Sequence, residues 1–364
     1  MGAREGATVG EASDESVVIT EETTGSGFTA LRHEWNALSR RANQTLPFQT
    51  WEWMWQWWKH MGDRHGLAIL IARRRDRLVG VAPFTLRDAA TPVRVRTLRF
   101  LGSEVTDELD FIGDGADARI VWRFLSESRR RWRWNLLDLW EFPSESPSVA
   151  AVEAWARSVL RRRCLAQLVD GLEVHLPSEY SKYWMGLTPR MRAKIRTSER
   201  RTQDRFGSLS LDVATSPRDV PAALKEYLRI QKARWEQEPT GLYHRLEYCD
   251  FLRDVSVALA TRGLTRIFKL SGDGQTLGLA LCFGTSGRTL SYGIATDPAL
   301  RHLEIGFQLV NRVIRTEIAR GQRVLDFLRG REQYKSRFGA RPKQVVRLRV
   351  AESGLAGRLA AMLH

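Results

Sequence analysis

Apolar positions along the chain recur first with the period of strands and then with that of helices, and this alternation continues to the C-terminal region. Val17, Val18 and Ile19 read as an opening strand between Glu15 and Glu21, and a helical repeat runs from about Thr29 to Arg41. The next segment, Phe48 to Trp58, contains Trp51, Trp53, Trp55, Trp57 and Trp58 around Met54. As a helix capped by Thr50 it presents Trp51, Met54, Trp55 and Trp58 on one side and Trp53 and Trp57 on another. Such a helix is either buried between two layers or lines a cleft, and flat aromatic rings suit a carbohydrate or an acyl chain. Trp51 and Trp55 are therefore candidate substrate contacts. Leu67 to Ala72 and Leu78 to Leu86 predict a strand pair around a basic turn, followed by strands at Thr97 to Leu101 and Leu109 to Ile112. A helix over about Ala116 to Arg130, a strand at Leu136 to Trp140, a helix from Ser148 to Arg163 and a strand at Leu165 to Leu176 complete this half.

The second half repeats the pattern. A helix at Phe251 to Thr261, Gly263, a strand at Leu264 to Leu270 and a partner strand at Leu277 to Phe283 containing Gly278 echo Trp53 to His60, Gly66, Leu67 to Ala72 and Val79 to Phe84 containing Gly80. Leu136-Leu137-Asp138-Leu139 likewise echoes Val324-Leu325-Asp326-Phe327. An internal duplication follows: an α/β chain of two like domains, each a mixed, mostly antiparallel sheet flanked by helices. Between them Ser178 to Phe206 is a basic helical segment broken at Pro177 and Pro189, with Arg192, Arg196 and Arg200 along one face. A long helix from Pro217 to Gln237 follows it. The expected organisation is a disordered tail at 1–15, a first domain at 16–176, a connector at 177–206 and a second domain at 207–364.

Composition adds a charge preference. A net charge of +15 over 364 residues, much of it arginine in runs at 129–133, 161–163 and 190–205, predicts attraction to phosphorylated small molecules, nucleic acid or an acidic membrane surface. No apolar run approaches the roughly 18 residues of a membrane span, and the acidic N-terminus lacks the regions of a signal peptide, so a cytoplasmic protein is expected. Cys164, Cys249 and Cys282 are far apart in apolar surroundings, which argues against disulfides and against a metal site.

The candidate chemistry concentrates between Asp326 and Gly339. Val324, Leu325 and Phe327 end a buried strand, Gly330 releases the backbone, and Glu332 to Arg337 supply about two helical turns. Tyr334 and Phe338 form the apolar stripe of that helix, while Glu332 and Lys335 share another face. The polar groups thus fall at the carboxyl end of a strand, the rim where ligands bind in sheets covered by helices. The pattern Asp326-Phe327-x-x-Gly330-x-Glu332-x-Tyr334-Lys335-x-x-Phe338-Gly339 resembles the C-terminal signature of CelD/BcsL-type acetyltransferases, a branch of the GNAT superfamily related to Fem-type aminoacyl transferases. Lys232-Ala233-Arg234-Trp235, Tyr292 to Pro298 and Gly306 extend the resemblance over roughly residues 180 to 340.

The resemblance implies two tandem GNAT-like domains and an N-acyltransferase. It would move an acyl group from acyl-CoA, its co-substrate, to an amine of a sugar, polysaccharide precursor or small metabolite, without a metal. Such transfer needs a cradle for the donor's phosphates, polarisation of the thioester carbonyl and a base for the amine proton. A helix N-terminus supplies the cradle, and the helix patterned by Ile305, Leu309 and Val313 offers Arg301, Ile305, Gly306 and Phe307. Arg301 and Gly306 match the ends of the general GNAT pattern, but Glu304 stands where its first glycine falls. The base is either Asp107, which resembles the family's acidic residue in the first domain, or Glu332. Lys335 either binds a substrate phosphate, helps to polarise the carbonyl or pairs with Glu332. Arg234, Trp235, Arg329 and Tyr334, with Trp51 and Trp55, are the candidate acceptor contacts. The alternative donor is aminoacyl-tRNA in a Fem-like reaction, favoured by the basic run from Arg190 to Arg205 and by Glu304. A non-catalytic anion-binding protein would explain the charge but not the cluster around Glu332.

Overall fold

A computed structural model describes residues 17–42, 46–89, 95–113, 117–160, 164–236, 241–330 and 332–352, so the expected tail at 1–15, Arg161 to Arg163 and Arg331 lie outside the described residues. The first half runs β1 (Val18–Glu22), α1 (Gly25–Ala30), α2 (Arg32–Arg41), α3 (Trp51–Met61), β2 (Gly66–Arg74), β3 (Arg77–Ala89), β4 (Val95–Phe100), β5 (Ile112–Gly113), α4 (Ala118–Trp132), β6 (Leu136–Pro143), α5 (Pro147–Leu160) and β7 (Cys164–His175). Helices α6 (Tyr180–Gly186) and α7 (Pro189–Phe206) form the basic connector. The second half runs β8 (Leu209–Ala214), α8 (Val220–Arg234), α9 (Leu246–Ala260), β9 (Thr265–Gly272), β10 (Gln275–Thr285), β11 (Arg288–Thr296), α10 (Ile305–Ala319), β12 (Val324–Arg329), α11 (Gln333–Arg337) and β13 (Arg341–Ala351).

Local chemistry sets several boundaries. The Thr50 hydroxyl accepts from the Trp53 amide at 3.2 Å and starts α3. Thr188 caps α7 in the same way, with Pro189 in the first turn, and Gly207 at φ +63° ends it. Two expectations differ. The helix expected from Thr29 to Arg41 is divided at Leu31 into α1 and α2. The strand expected at Leu109 to Ile112 is mostly loop, because its polar groups bond outside any ladder: the Leu109 amide donates to the Glu141 carbonyl at 3.0 Å and the Phe111 amide to the Asp110 carboxylate at 2.7 Å.

The strands form one mixed, mostly antiparallel sheet in the order β1-β2-β3-β4-β6-β13-β7-β12-β11-β10-β9-β8, with β5 paired to β3 and helices on both sides. Exchanging β1 with β8, β2 with β9, β3 with β10, β4 with β11, β6 with β12 and β7 with β13 reproduces that order read backwards. The halves are therefore duplicates related by a pseudo-twofold axis. Each ends in an exchanged strand: β13 pairs with β6 of the first half, and β7 pairs with β12 of the second. The parallel pairs, β4 with β6 and β11 with β12, are also equivalent.

The recurring glycines have a packing reason. A Cβ on Gly80 would lie 3.0 Å from Ile120 of α4, and one on Gly278 would lie 3.4 Å from Leu309 of α10. Gly80 lets α4 approach its strand closely, whereas at Gly278 the tightest neighbour is the Ala295 carbonyl oxygen of β11 at 3.1 Å, with α10 in ordinary contact. On the other face α3 packs on its counterpart α9, with the Trp53 ring edge-on to Phe251 at 5.2 Å. One apolar core runs from the first half through this contact into α8, while α6, α7 and α10 close a second core against the other face.

Candidate active site

β11 and β12 are paired only from Arg288 opposite Val324 to Leu290 opposite Asp326. Beyond that point they part, and Leu328 at φ +58° turns the end of β12. A cavity of about 1100 Å³ lies in the gap. From the second half it is lined by Arg234 and Trp235 at the end of α8, by Arg301, Ile305, Gly306 and Phe307, and by Arg329, Glu332, Tyr334 and Lys335. Asp107 joins them from the first half. Trp51 and Trp55 do not line it. Their rings stack at 5.5 Å beside Phe28, and the Trp51 indole donates to the Phe28 carbonyl at 2.8 Å, so this pair belongs to the packing of the first half.

The equivalent gap of the first half, beyond Arg99 opposite Asp138, is filled. Phe100 lies 5.3 Å from both Phe111 and Phe142, and Phe111 stacks on Phe124 of α4 at 6.1 Å. The Asp117 carboxylate caps α4, accepting from the Arg119 amide at 3.0 Å, and places negative charge where an anion would approach. The duplicated fold thus keeps its open gap beside α10.

At α10 the carboxylate is moved aside. Glu304 adopts φ +53°, the left-handed region that favours glycine, and makes no capping bond. Lys194 of α7 holds its side chain instead. The Glu304 side chain therefore leaves the first amides of α10 uncapped, that of Phe307 donating to the Glu304 carbonyl at 3.0 Å. A Cβ on Gly306 would meet nothing closer than Thr296 Cγ2 at 4.0 Å, and Gly306 has no positive φ. Neither packing nor backbone conformation requires this glycine, and it borders the cavity. These features fit the phosphates of an acyl donor.

Asp107 is fixed from both sides in the loop between β4 and β5. The Trp53 indole donates to Thr106 Oγ1 at 2.8 Å, and the Tyr292 hydroxyl donates to the Val105 carbonyl at 2.9 Å. Arg329 reaches across with Nε 2.9 Å from Asp107 Oδ1 and pairs through Nη1 with Glu141. Glu141 is fully buried at φ +65°, and burial together with the neighbouring Asp107 charge pushes its carboxyl up to about 10. Burial and that neighbouring charge thus favour the neutral form of Glu141 beside Arg329.

Lys335 is 4% exposed, donates to the Arg329 carbonyl at 2.6 Å and pairs with Glu332 at 2.7 Å. Of the readings open from the sequence, its contacts are those of a brace closing the turn from Arg329 to Glu332. Arg234 donates to the Ile294 carbonyl at 3.0 Å and lies over the Trp235 ring, while Tyr334 sits edge-on to Phe327 at 6.1 Å. The positioning roles of Trp53, Tyr292 and Glu141 were not read from the sequence, since no spacing relates them to Asp107. Among the described residues no group of His, Cys, Asp and Glu could hold a metal ion, and no helix is long and apolar enough to cross a membrane.

Residues 189–336 match the family model described as an acetyltransferase (GNAT) domain. This match makes residues 189–336 a GNAT-type acyltransferase domain. Solved structures of similar fold include FemX, at 10% identity over 91% of this chain and 98% of that one with a TM-score of 0.64. A conserved protein of unknown function from Bacteroides thetaiotaomicron is similar at 11% identity over 92% and 100% of the two chains, TM-score 0.57. The C-terminal domain of a putative lysylphosphatidylglycerol synthetase from Agrobacterium fabrum is similar at 11% identity over 93% and 95%, TM-score 0.53. At these identities the likeness is one of fold. No curated protein sequence matches the chain.

Proposed function

We propose that the chain is an N-acyltransferase that takes its acyl group from acyl-CoA and passes it to the amine of a sugar, polysaccharide precursor or small metabolite. The observation that carries this reading is Gly306, a glycine required by neither packing nor φ, in the first turn of an uncapped helix bordering the cavity. Arg301 and the amides of Ile305 and Gly306, beside Phe307, would hold the donor's phosphates. The acceptor nitrogen attacks the thioester carbonyl, the C–N bond forms, the C–S bond breaks and the amine proton passes to a base. Asp107 suits that task better than Glu332. It borders the cavity from a loop fixed on both sides, whereas the Glu332 side chain is 56% exposed and tied to Lys335.

The test is titration of acetyl-CoA and longer acyl-CoAs into the parent and Gly306→Glu proteins, with products identified by mass spectrometry. The variant should lose about tenfold or more in donor affinity at an unchanged melting temperature. Equal loss of fold stability would make Gly306 a packing residue and remove the reading. Aminoacyl-tRNA is the second donor to consider, on one observation: Arg190, Arg200 and Arg201 are exposed on α7, the helix whose Lys194 reaches the start of α10.

A further inference from the structure

The duplication places a buried aspartate at the same point of each half, Asp138 on β6 and Asp326 on β12, and the two are neutralised differently. Around Asp326 stand Arg288 and Lys343, with Glu108 bound to both cations and Glu173 at 3.6 Å from Arg288. That is three carboxylates for two cations. Around Asp138 the balance is reversed. Arg347 grips it through two bonds of 2.8 Å, Arg99 lies at 3.3 Å and Arg349 at 3.6 Å. Register explains the gathering, since Arg99 on β4 and Arg349 on β13 are the direct cross-strand neighbours of Asp138 and share its face. Arg87 adds a further guanidinium acting on Arg99, and Glu104, 32% exposed, a second carboxylate.

Arg99, Arg347 and Arg349 have side chains only 12%, 8% and 16% exposed. A guanidinium cannot shed its charge at accessible pH, so a recessed surplus of this sign is costly without an anion. Mutual repulsion adds to burial in holding the acidity of Arg349 above that of a free guanidinium. Nε and Nη2 of Arg349 are buried with no hydrogen-bond partner, two donor nitrogens of a planar fork without an acceptor. Trp140 closes one side, its ring 3.7 Å from the Arg347 guanidinium. The next residue along β6, Glu141, pairs with the cavity residue Arg329.

We infer that Arg99, Arg347 and Arg349 around Asp138, beside Trp140, form an anion site for a phosphate or diphosphate group of the acceptor, whose amine then reaches Asp107. The arginine fork matches phosphate oxygens in pairs, which a lysine cluster would not do. The assignment of the anion to the acceptor rests on the acyltransferase reading above, whereas the site itself does not.

The probe is inorganic pyrophosphate, titrated by calorimetry into the full chain at constant ionic strength without any acyl donor. The parent should show a site that is retained in Gly306→Glu, which disables the donor cradle. Arg349→Gln should weaken it by about tenfold or more, because charge-assisted bonds are lost. Without ligand that variant should melt no lower than the parent, since an uncompensated charge is removed. Arg87→Gln, at an exposed position, gives a smaller loss of affinity free of any folding effect. Pyrophosphate binding that disappears in Gly306→Glu and survives in Arg349→Gln belongs to the donor cradle and overturns the inference. So does an Arg349→Gln protein that melts lower and binds pyrophosphate as the parent does, because the arginine is then only a partner of Asp138. Pyrophosphate binding at this site in a protein that binds no acyl-CoA would keep the site and remove the acyltransferase reading.

Discussion

Lys194 on the connector helix holds the carboxylate of Glu304 away from the amides that begin α10, and also lies 4.6 Å from the centre of the Phe307 ring. One residue thus corrects the departure that Glu304 makes from a glycine at this turn. Lys194→Ala should release the carboxylate toward the cradle and weaken acyl-CoA binding by about three- to tenfold through repulsion. Stability should change by less than about 1 kcal/mol, because the pair is partly exposed. Glu304→Gly should act oppositely, tightening the donor and removing a left-handed strain worth about 1 kcal/mol. Calorimetric titration with thermal melting checks both, and unchanged affinity in both variants would exclude Glu304 from the donor's surroundings.

The catalytic base is tested by paired substitutions. Asp107→Asn should lower kcat by about two to four orders of magnitude with donor affinity retained. Glu332→Gln should stay within about tenfold, since its removal frees Lys335 from one contact while the bond to the Arg329 carbonyl remains. Steady-state kinetics on the acceptor found by product analysis decides. If both variants turn over like the parent, the proton goes to water or to the substrate itself.

Glu141 gives a pH signature. Its carboxyl is held near 10 in the fold against an ordinary value of 4.5. The unfolded chain ionises first as pH rises, so the stability this group contributes is fully present below about 4.5 and is lost progressively until about 10. Glu141→Gln removes that titration while keeping a neutral side chain of similar shape. The melting temperature of the variant relative to the parent should therefore climb between about pH 5 and 9, then level. A difference independent of pH would mean that Glu141 is ionised in the fold, and the neutral cluster at Arg329 would be wrong.

Much of this architecture was legible in the sequence because it rests on periodicity and on glycine. Gly80 and Gly278 revealed the duplication through their spacing, and the structure supplies the cause in α4 packed on Gly80 and in β11 close against Gly278. The strand exchange was not legible. β13 alternates Arg347 and Arg349 with Leu348 and Val350, a strand signal that could have been read, but nothing local says that it enters the opposite half. The lining of the cavity was legible where one segment supplies Arg329, Glu332, Tyr334 and Lys335, and at Gly306. It was hidden where distant segments meet. The closure of Arg329 by Asp107 and Glu141, and the withdrawal of Glu304 by Lys194, depend on contacts that no spacing encodes.

The basic face of α7 separates the two donors. As read from the sequence, Arg192, Arg196 and Arg200 form a stripe, but Arg192 donates to the carbonyls of Met185 at 3.1 Å and Leu187 at 2.6 Å and so closes the end of α6. Arg196 lies over the Trp184 ring at 5.4 Å. Arg192→Ala should therefore cost about 1 to 2 kcal/mol of stability, through carbonyls left without a charged donor, and leave RNA affinity little altered. Arg190, Arg200 and Arg201 are exposed, as are Arg196 and Arg205, the latter two lying over the Trp184 and Phe206 rings. If a tRNA lies along α7, the triple alanine variant of Arg190, Arg200 and Arg201 should flatten the plot of log affinity against log salt by about two to three units. Its melting temperature should stay near the parental value, because none of the three is buried. A parent protein without RNA affinity at moderate salt, or a triple variant with an unchanged slope, removes the aminoacyl-tRNA donor and leaves these arginines as a solvated face.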